Sequence, residues 1–274
     1  MILSALAFTV QNGFIRWVDH IPTMELVFFR SFSSLLICLV LLKRLSISLP
    51  GNRPSWLVAR GVVGVISMAI FFKAFQIMPM GTIVSMRYLS PIFAAFMAVY
   101  FLKERIYAMQ WLFFLIAFGG VVMLKGFDAR VSMYGLGLAF LTAFFSGMVY
   151  VILRKIGNSE HPILIVGYFM AMGVLVGGIG MMWDWLHPIG VEWVVLLTLG
   201  IFGFFGQYFM TRAFQVAEAN VVAPFKYAEA VFTLAMGWAI FDEYQTIWSL
   251  LAIALIISSL VGNVWVKKYK EARN

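Results

Sequence analysis

Apolar residues in this chain come in long runs separated by short polar connections. The runs fall at about 1–18, 23–42, 56–77, 80–102, 106–124, 134–155, 162–183, 191–213, 220–241 and 246–266. Each is close to the roughly 20 residues with which a helix rising 1.5 Å per residue crosses the hydrocarbon of a bilayer. A membrane β-barrel would instead show alternating segments of about ten residues. The pattern therefore predicts an all-α integral membrane protein with about ten transmembrane helices. Turn formers occupy the connections, at Pro50-Gly51-Asn52, Pro79-Met80-Gly81, Gly157-Asn158 and Pro188 near Gly190. Trp17, Trp56, Trp183, Trp185, Trp193, Trp248 and Trp265 gather at the ends of runs, as interfacial tryptophans do.

Composition agrees with this reading and narrows it. Of 274 residues, 63% are hydrophobic and 12% charged, about half the charge of an ordinary soluble domain, so most of the outer surface must face lipid. The net charge of +8 does not mark a nucleic-acid partner, because Lys and Arg sit between the runs and not in a basic patch. Alternate connections carry Lys43, Arg44 and Arg53, then Lys103 and Arg105, then Arg154 and Lys155, and the tail holds Lys267, Lys268, Lys270 and Arg273. With an even number of spans, this bias places both termini on the cytoplasmic side of the inner (plasma) membrane. His20, His161 and His187 lie in connections without ligand spacing, and no phosphate-binding glycine loop occurs. The expectation is therefore no metal, no cofactor and no enzymatic activity. Cys38, within a run, reads as a packing residue.

The chain also matches itself. Lys73-Ala74-Phe75-Gln76-Ile77 recurs as Arg212-Ala213-Phe214-Gln215-Val216, and the same ungapped offset pairs Arg87-Tyr88 with Lys226-Tyr227, Phe93 with Phe232, Met97 with Met236 and Glu104 with Glu243. Two halves follow, 1–130 and 131–274, each of about five spans. An odd number of spans per half forces the halves into opposite orientations, the inverted-repeat plan of many secondary transporters.

On these residues the chain resembles the drug/metabolite transporter superfamily, specifically its EamA-type permeases. The resemblance rests on Phe72-Lys73-Ala74-Phe75-Gln76-Ile77 leading to Pro79 and Gly81, on Ser90-Pro91 with Phe93, and on Glu104. The second half repeats it with Arg212-Ala213-Phe214-Gln215, Ala223-Pro224 and Glu243, and Arg30 matches a family habit in the second span. The halves differ where Ala230 stands in place of Pro91. The resemblance implies an alternating-access carrier whose cavity is lined mainly by the third, fourth, eighth and ninth spans. Its members move amino acids, nucleobases, S-adenosylmethionine, other metabolites and drugs.

Charges inside the runs nominate the site. Arg30, Lys73, Arg87, Arg212, Lys226 and Glu229 lie there, and each basic residue at mid-bilayer costs about 2.5–3.5 kcal/mol on insertion scales. Lys73 and Arg212 are within about a turn of a run end, where a long stem reaches the interface. Arg87 and Lys226 lie deeper, about 10 Å in, and are expected to face a cavity. Arg30 is as deep, with pairing and solute contact both open. Lys226 and Glu229, three residues apart on one helix face, form either a neutralising pair or a divided site. In the second case Glu229 takes an ammonium or a coupling proton, and Lys226 or Arg87 takes a carboxylate. Tyr88 and Tyr227 are suited to gripping an organic solute, and Trp238 to lining the cavity, while Trp111 is expected to face lipid or a neighbouring helix. Pro91 and Pro224 are gating bends or plain kinks. The expected function is secondary transport of a small solute carrying an anionic group, in the export direction. The alternatives are another drug or metabolite permease, such as an importer of S-adenosylmethionine or a nucleotide-like solute, or a membrane receptor. The partners are the solute and the bilayer, with the oligomeric state open and a monomer included.

Overall fold

A backbone in hydrocarbon must satisfy its own N–H and C=O groups, and helices do so within each segment. In the computed structural model, which describes residues 1–102, 108–127, 130–216 and 225–271, these segments are α1 (Ile2–Trp17), α2 (Thr23–Arg44), α3 (Pro54–Ile77), α4 (Met80–Arg87), α5 (Ser90–Leu102), α6 (Ala108–Phe127), α7 (Met133–Ile156), α8 (Pro162–Gly180), α9 (Glu192–Val216), α10 (Ala228–Phe241) and α11 (Ile247–Glu271). No strand occurs among the described residues. Seven described segments are long and apolar enough to cross a membrane, and Met109–Met123 and Ala228–Phe241 are apolar but shorter. Local chemistry sets several starts. Pro54 and Pro162 open α3 and α8, where a missing N–H costs nothing, and Ser132 caps α7 by accepting from the Gly135 N–H at 2.9 Å.

The predicted fourth run is not one helix. It breaks at Tyr88-Leu89, between α4 and α5, with Pro91 in the first turn of α5. The second half breaks at the equivalent residue, Tyr227, although Ala230 stands where the first half has Pro91. Backbone angles at the two tyrosines are alike, φ −71° and ψ −5° at Tyr88 and φ −65° and ψ −17° at Tyr227. Proline is therefore not what the break requires. Glu104, Ala223 and Pro224 lie outside the described residues, as do Lys103 and Arg105.

The packing of the helices carries the duplication. Helix α2 lies on α8, and α6 lies on α11. The contact of α3 with α7 has its counterpart in α1 with α9, that of α2 with α9 in α3 with α8, and that of α5 with α7 in α1 with α10. Exchanging the halves maps this set onto itself, as a two-fold relation between them demands. Equivalent side chains tie equivalent corners: Gln76 Nε2 donates to the Asp19 and Ile21 carbonyls at 2.9 and 2.7 Å, and Gln215 Nε2 donates to the Gly157 and Glu160 carbonyls at 3.3 and 3.0 Å. These two corners lie at opposite ends of the bundle.

Small residues bring the helices close where lipid supplies no hydrophobic drive. Ser34 Oγ donates to the Gly200 carbonyl at 2.6 Å, and Ser4 Oγ donates to the Gly206 carbonyl at 2.7 Å. A Cβ on Gly177 would stand 2.7 Å from the Phe28 nitrogen and 3.1 Å from the Met24 carbonyl oxygen, both backbone atoms that cannot step aside. At Gly119 a Cβ would meet nothing within 4 Å. Gly177→Leu is therefore expected to lower stability in detergent by about 1–3 kcal/mol, read as a fall in thermal midpoint, while Gly119→Leu leaves the midpoint unchanged.

Candidate functional site

Seven elements and Lys226, two residues ahead of α10, converge on one central cavity. Its volume is about 80 Å³. Helix α1 supplies Phe8 and Gln11, α2 Arg30, α3 Arg60, Ser67 and Phe71, α4 Arg87, α7 Ser146 and Tyr150, α8 Phe169, and α9 Gln207, with Lys226 just ahead of α10. The third, fourth, eighth and ninth runs supply ten of the seventeen lining residues, and the first, second, sixth and seventh runs supply the other seven.

The helix break arranges the charges. Glu229, fully buried, accepts from Arg87 Nη2 at 2.6 Å and from Asn12 Nδ2 at 3.4 Å. Lys226 does not pair with it, because the break at Tyr227 lies between them and the three-residue helical spacing no longer puts both on one face. Instead the Lys226 ammonium donates to the Tyr150 hydroxyl and lies 4.8 Å from the centre of that ring. The Arg87 guanidinium sits 4.4 Å over the Phe71 ring, a favourable cation–π distance.

Other expected residues fall around the cavity or away from it. Tyr88 and Tyr227 do not line it. Their rings meet edge to face at 5.0 Å across the two halves, and Tyr88 Oη donates at 2.9 Å to the Lys226 carbonyl near the break. Trp238 lies about half a turn round α10 from Glu229 and is 63% exposed on the outer face. Trp111 is also exposed and packs on Phe96. Lys73 and Arg212 are exposed, as stems reaching an interface would be.

The residue that sequence reasoning missed is Arg60. It lies six residues after Pro54, inside the third run, and is 1% exposed. Its Nη2 donates to Gln207 Oε1 at 3.1 Å, and its guanidinium lies 4.3 Å from the centre of the Phe169 ring. Arg30, 2% exposed, donates through Nε to Gln11 Oε1 at 3.3 Å and lies 5.2 Å from the same ring centre. One legible signal was the spacing of Arg60 and Gly64, one turn apart on a face with no room for a side chain at Gly64.

At one end of the bundle Arg16 bonds the Glu243 carboxylate and donates to the Met78 carbonyl at 2.8 Å, while the Met80 N–H donates to Glu243 Oε2 at 2.7 Å. This latch joins α1, the α3–α4 connection and the segment after α10.

A multi-pass helical protein of two interlocked halves, closed around buried charge at mid-depth, has the architecture of a membrane carrier. The chain belongs to the EamA-like transporter family, whose model matches residues 1–125 and again 133–265. It is 30% identical to the pseudopaline exporter CntI of Pseudomonas aeruginosa over 97% of this chain and 95% of that protein. It is 28% identical to human solute carrier family 35 member G1, over 99% of this chain and 80% of that one, and 27% identical to an S-adenosylmethionine uptake transporter of Rickettsia prowazekii, over 97% and 92%. A solved crystal structure with 17% sequence identity superposes with a TM-score of 0.68, over 96% of this chain and 93% of that one, which supports the fold.

Removing one partner of a buried ion pair strands the other. Glu229→Gln is expected to cost about 3–5 kcal/mol of stability in detergent. The double variant Arg87→Gln/Glu229→Gln should lose clearly less, a coupling that a double-mutant cycle of unfolding measurements reads directly.

Proposed function

We propose that this protein carries small organic solutes bearing an anionic group out of the cell across the inner (plasma) membrane by alternating access. The observation that carries the proposal is the charge balance of the cavity. Arg30, Arg60, Arg87 and Lys226 line it, and among the described residues one carboxylate, Glu229, answers them, already held by Arg87. A surplus of buried cations in a low-dielectric site favours an anion that arrives with the solute. On this reading Arg30, Arg60 and Lys226 receive the anionic group, and Arg87 with Glu229 fixes the wall behind them.

The halves 1–130 and 131–274 would rock against each other about the breaks at Tyr88 and Tyr227, with Pro91 beside the first. The basic connections put both termini in the cytoplasm. In that orientation the Arg16–Glu243–Met80 latch shuts the outer side, and the cavity is read as loading from the cytoplasm. A relative named for export supports the outward direction.

The test is counterflow in proteoliposomes, with radiolabelled organic anions outside and unlabelled solute within. Saturable, trans-stimulated uptake is expected, distinguishing a carrier from a channel or receptor. Arg30→Gln should lower kcat/KM by about tenfold or more, on the order of the ~1.4 kcal/mol or more that a charged hydrogen bond contributes. Uptake that is unsaturable, or unaffected by Arg30→Gln, would contradict the proposal.

A further inference from the structure

The Arg30–Arg60 pair has more donor capacity than its surroundings answer. Both guanidiniums lie over one ring, Phe169. Their partners are neutral: Gln11 Oε1 and the Met68 and Met170 sulfurs for Arg30, at 3.3, 2.7 and 3.7 Å, and Gln207 Oε1 for Arg60. Thioether sulfur is a weak acceptor. Arg60 Nε and Nη1 are buried with no acceptor. Neither arginine has a carboxylate of a described residue within 4.0 Å.

The fold makes room for this arrangement. Gly64 and Gly203 occupy equivalent positions in the two halves, at the same offset that relates Tyr88 to Tyr227. A Cβ on Gly64 would collide with Arg60 Nη1 and come within 3.0 Å of the Phe169 ring. One on Gly203 would stand 2.8 Å from Arg30 Nε and 2.8 Å from Gln11 Oε1. Each half therefore leaves a gap that admits one guanidinium, and the two gaps open on the same cavity.

We infer that Arg30 and Arg60 together form a subsite for a dianionic group, either two carboxylates on a short chain or a phosphate. The inference rests on the cavity being the solute site. A monoanion would neutralise one guanidinium and leave its neighbour as a buried, uncompensated charge, which is costly. A dianion answers both, and its oxygens match the planar donor forks of arginine two at a time. Gln11 and Gln207 each hold one guanidinium by a hydrogen bond, and both guanidiniums lie near the Phe169 ring.

The experiment is titration calorimetry on the purified full chain in detergent at fixed ionic strength and pH 8, with succinate and inorganic phosphate as dianions and acetate and propionate as monoanions. At least one dianion should bind about tenfold or more tightly than either monoanion, a difference of ~1.4 kcal/mol or more. Succinate ahead of phosphate identifies a dicarboxylate, and the reverse order a phosphate. In Arg60→Gln the preference should fall below about threefold. Gln207→Ala, which keeps the charge and removes the support of Arg60, should reduce it in the same direction and serves if Arg60→Gln does not fold. Equal binding of monoanions and dianions, no binding of any of the four, or a preference unchanged in the folded variants overturns the inference. Counterflow of organic anions that persists in those cases leaves the broader transport reading standing, and its loss removes both.

Discussion

Hydrocarbon gives an ionised side chain no water, so a charge at mid-depth has to be answered inside the protein or by what the protein binds. That constraint organises this molecule. Arg87 and Glu229 come from different halves, meet at 2.6 Å, and neutralise each other. The pair can form because the helix is interrupted at Tyr227, which turns Glu229 away from Lys226 and toward α4. The same interruption leaves the Lys226 carbonyl to take the Tyr88 hydroxyl. A charge pair, a helix break and the contact between the halves are thus one feature. The cations left over, Arg30, Arg60 and Lys226, give the cavity its chemistry.

The duplication explains how so few polar residues are enough. Equivalent residues do equivalent structural jobs at opposite ends, as Gln76 and Gln215 do at their corners, and equivalent glycines, Gly64 and Gly203, admit the two guanidiniums. The halves then depart from symmetry where the solute would sit. Arg87 faces a carboxylate while its counterpart Lys226 faces a phenol. The frame is thus near-symmetric and the centre is not.

Much of this was legible in the sequence, for physical reasons. Long apolar runs admit few structures in lipid, so helices followed from length alone, and the self-match at constant offset gave the two halves and pointed to Arg87, Tyr88, Lys226, Tyr227 and Glu243. Three-dimensional neighbours were harder to read. Lys226 and Glu229 looked like partners because helical spacing was assumed through Tyr227, where the helix stops. Trp238 looked like a cavity residue because its depth was readable and its face was not. Arg60 lies within the third run, but its burial depends on α8 and α9 packing over it. Depth along a span can be read from one chain, whereas which side of the helix meets the cavity requires the other helices.

On the proposed reading, the uncompensated cations of the cavity make it a carrier site for anionic solutes. Its most direct test is counterflow in proteoliposomes with matched pairs of solutes that differ only in a carboxylate replaced by its neutral amide. Saturable exchange of the carboxylates and little or none of the amides is expected, with the difference abolished when Arg30 and Arg60 are both replaced by Gln. Exchange of the amides as fast as of the carboxylates by the wild-type protein would contradict it.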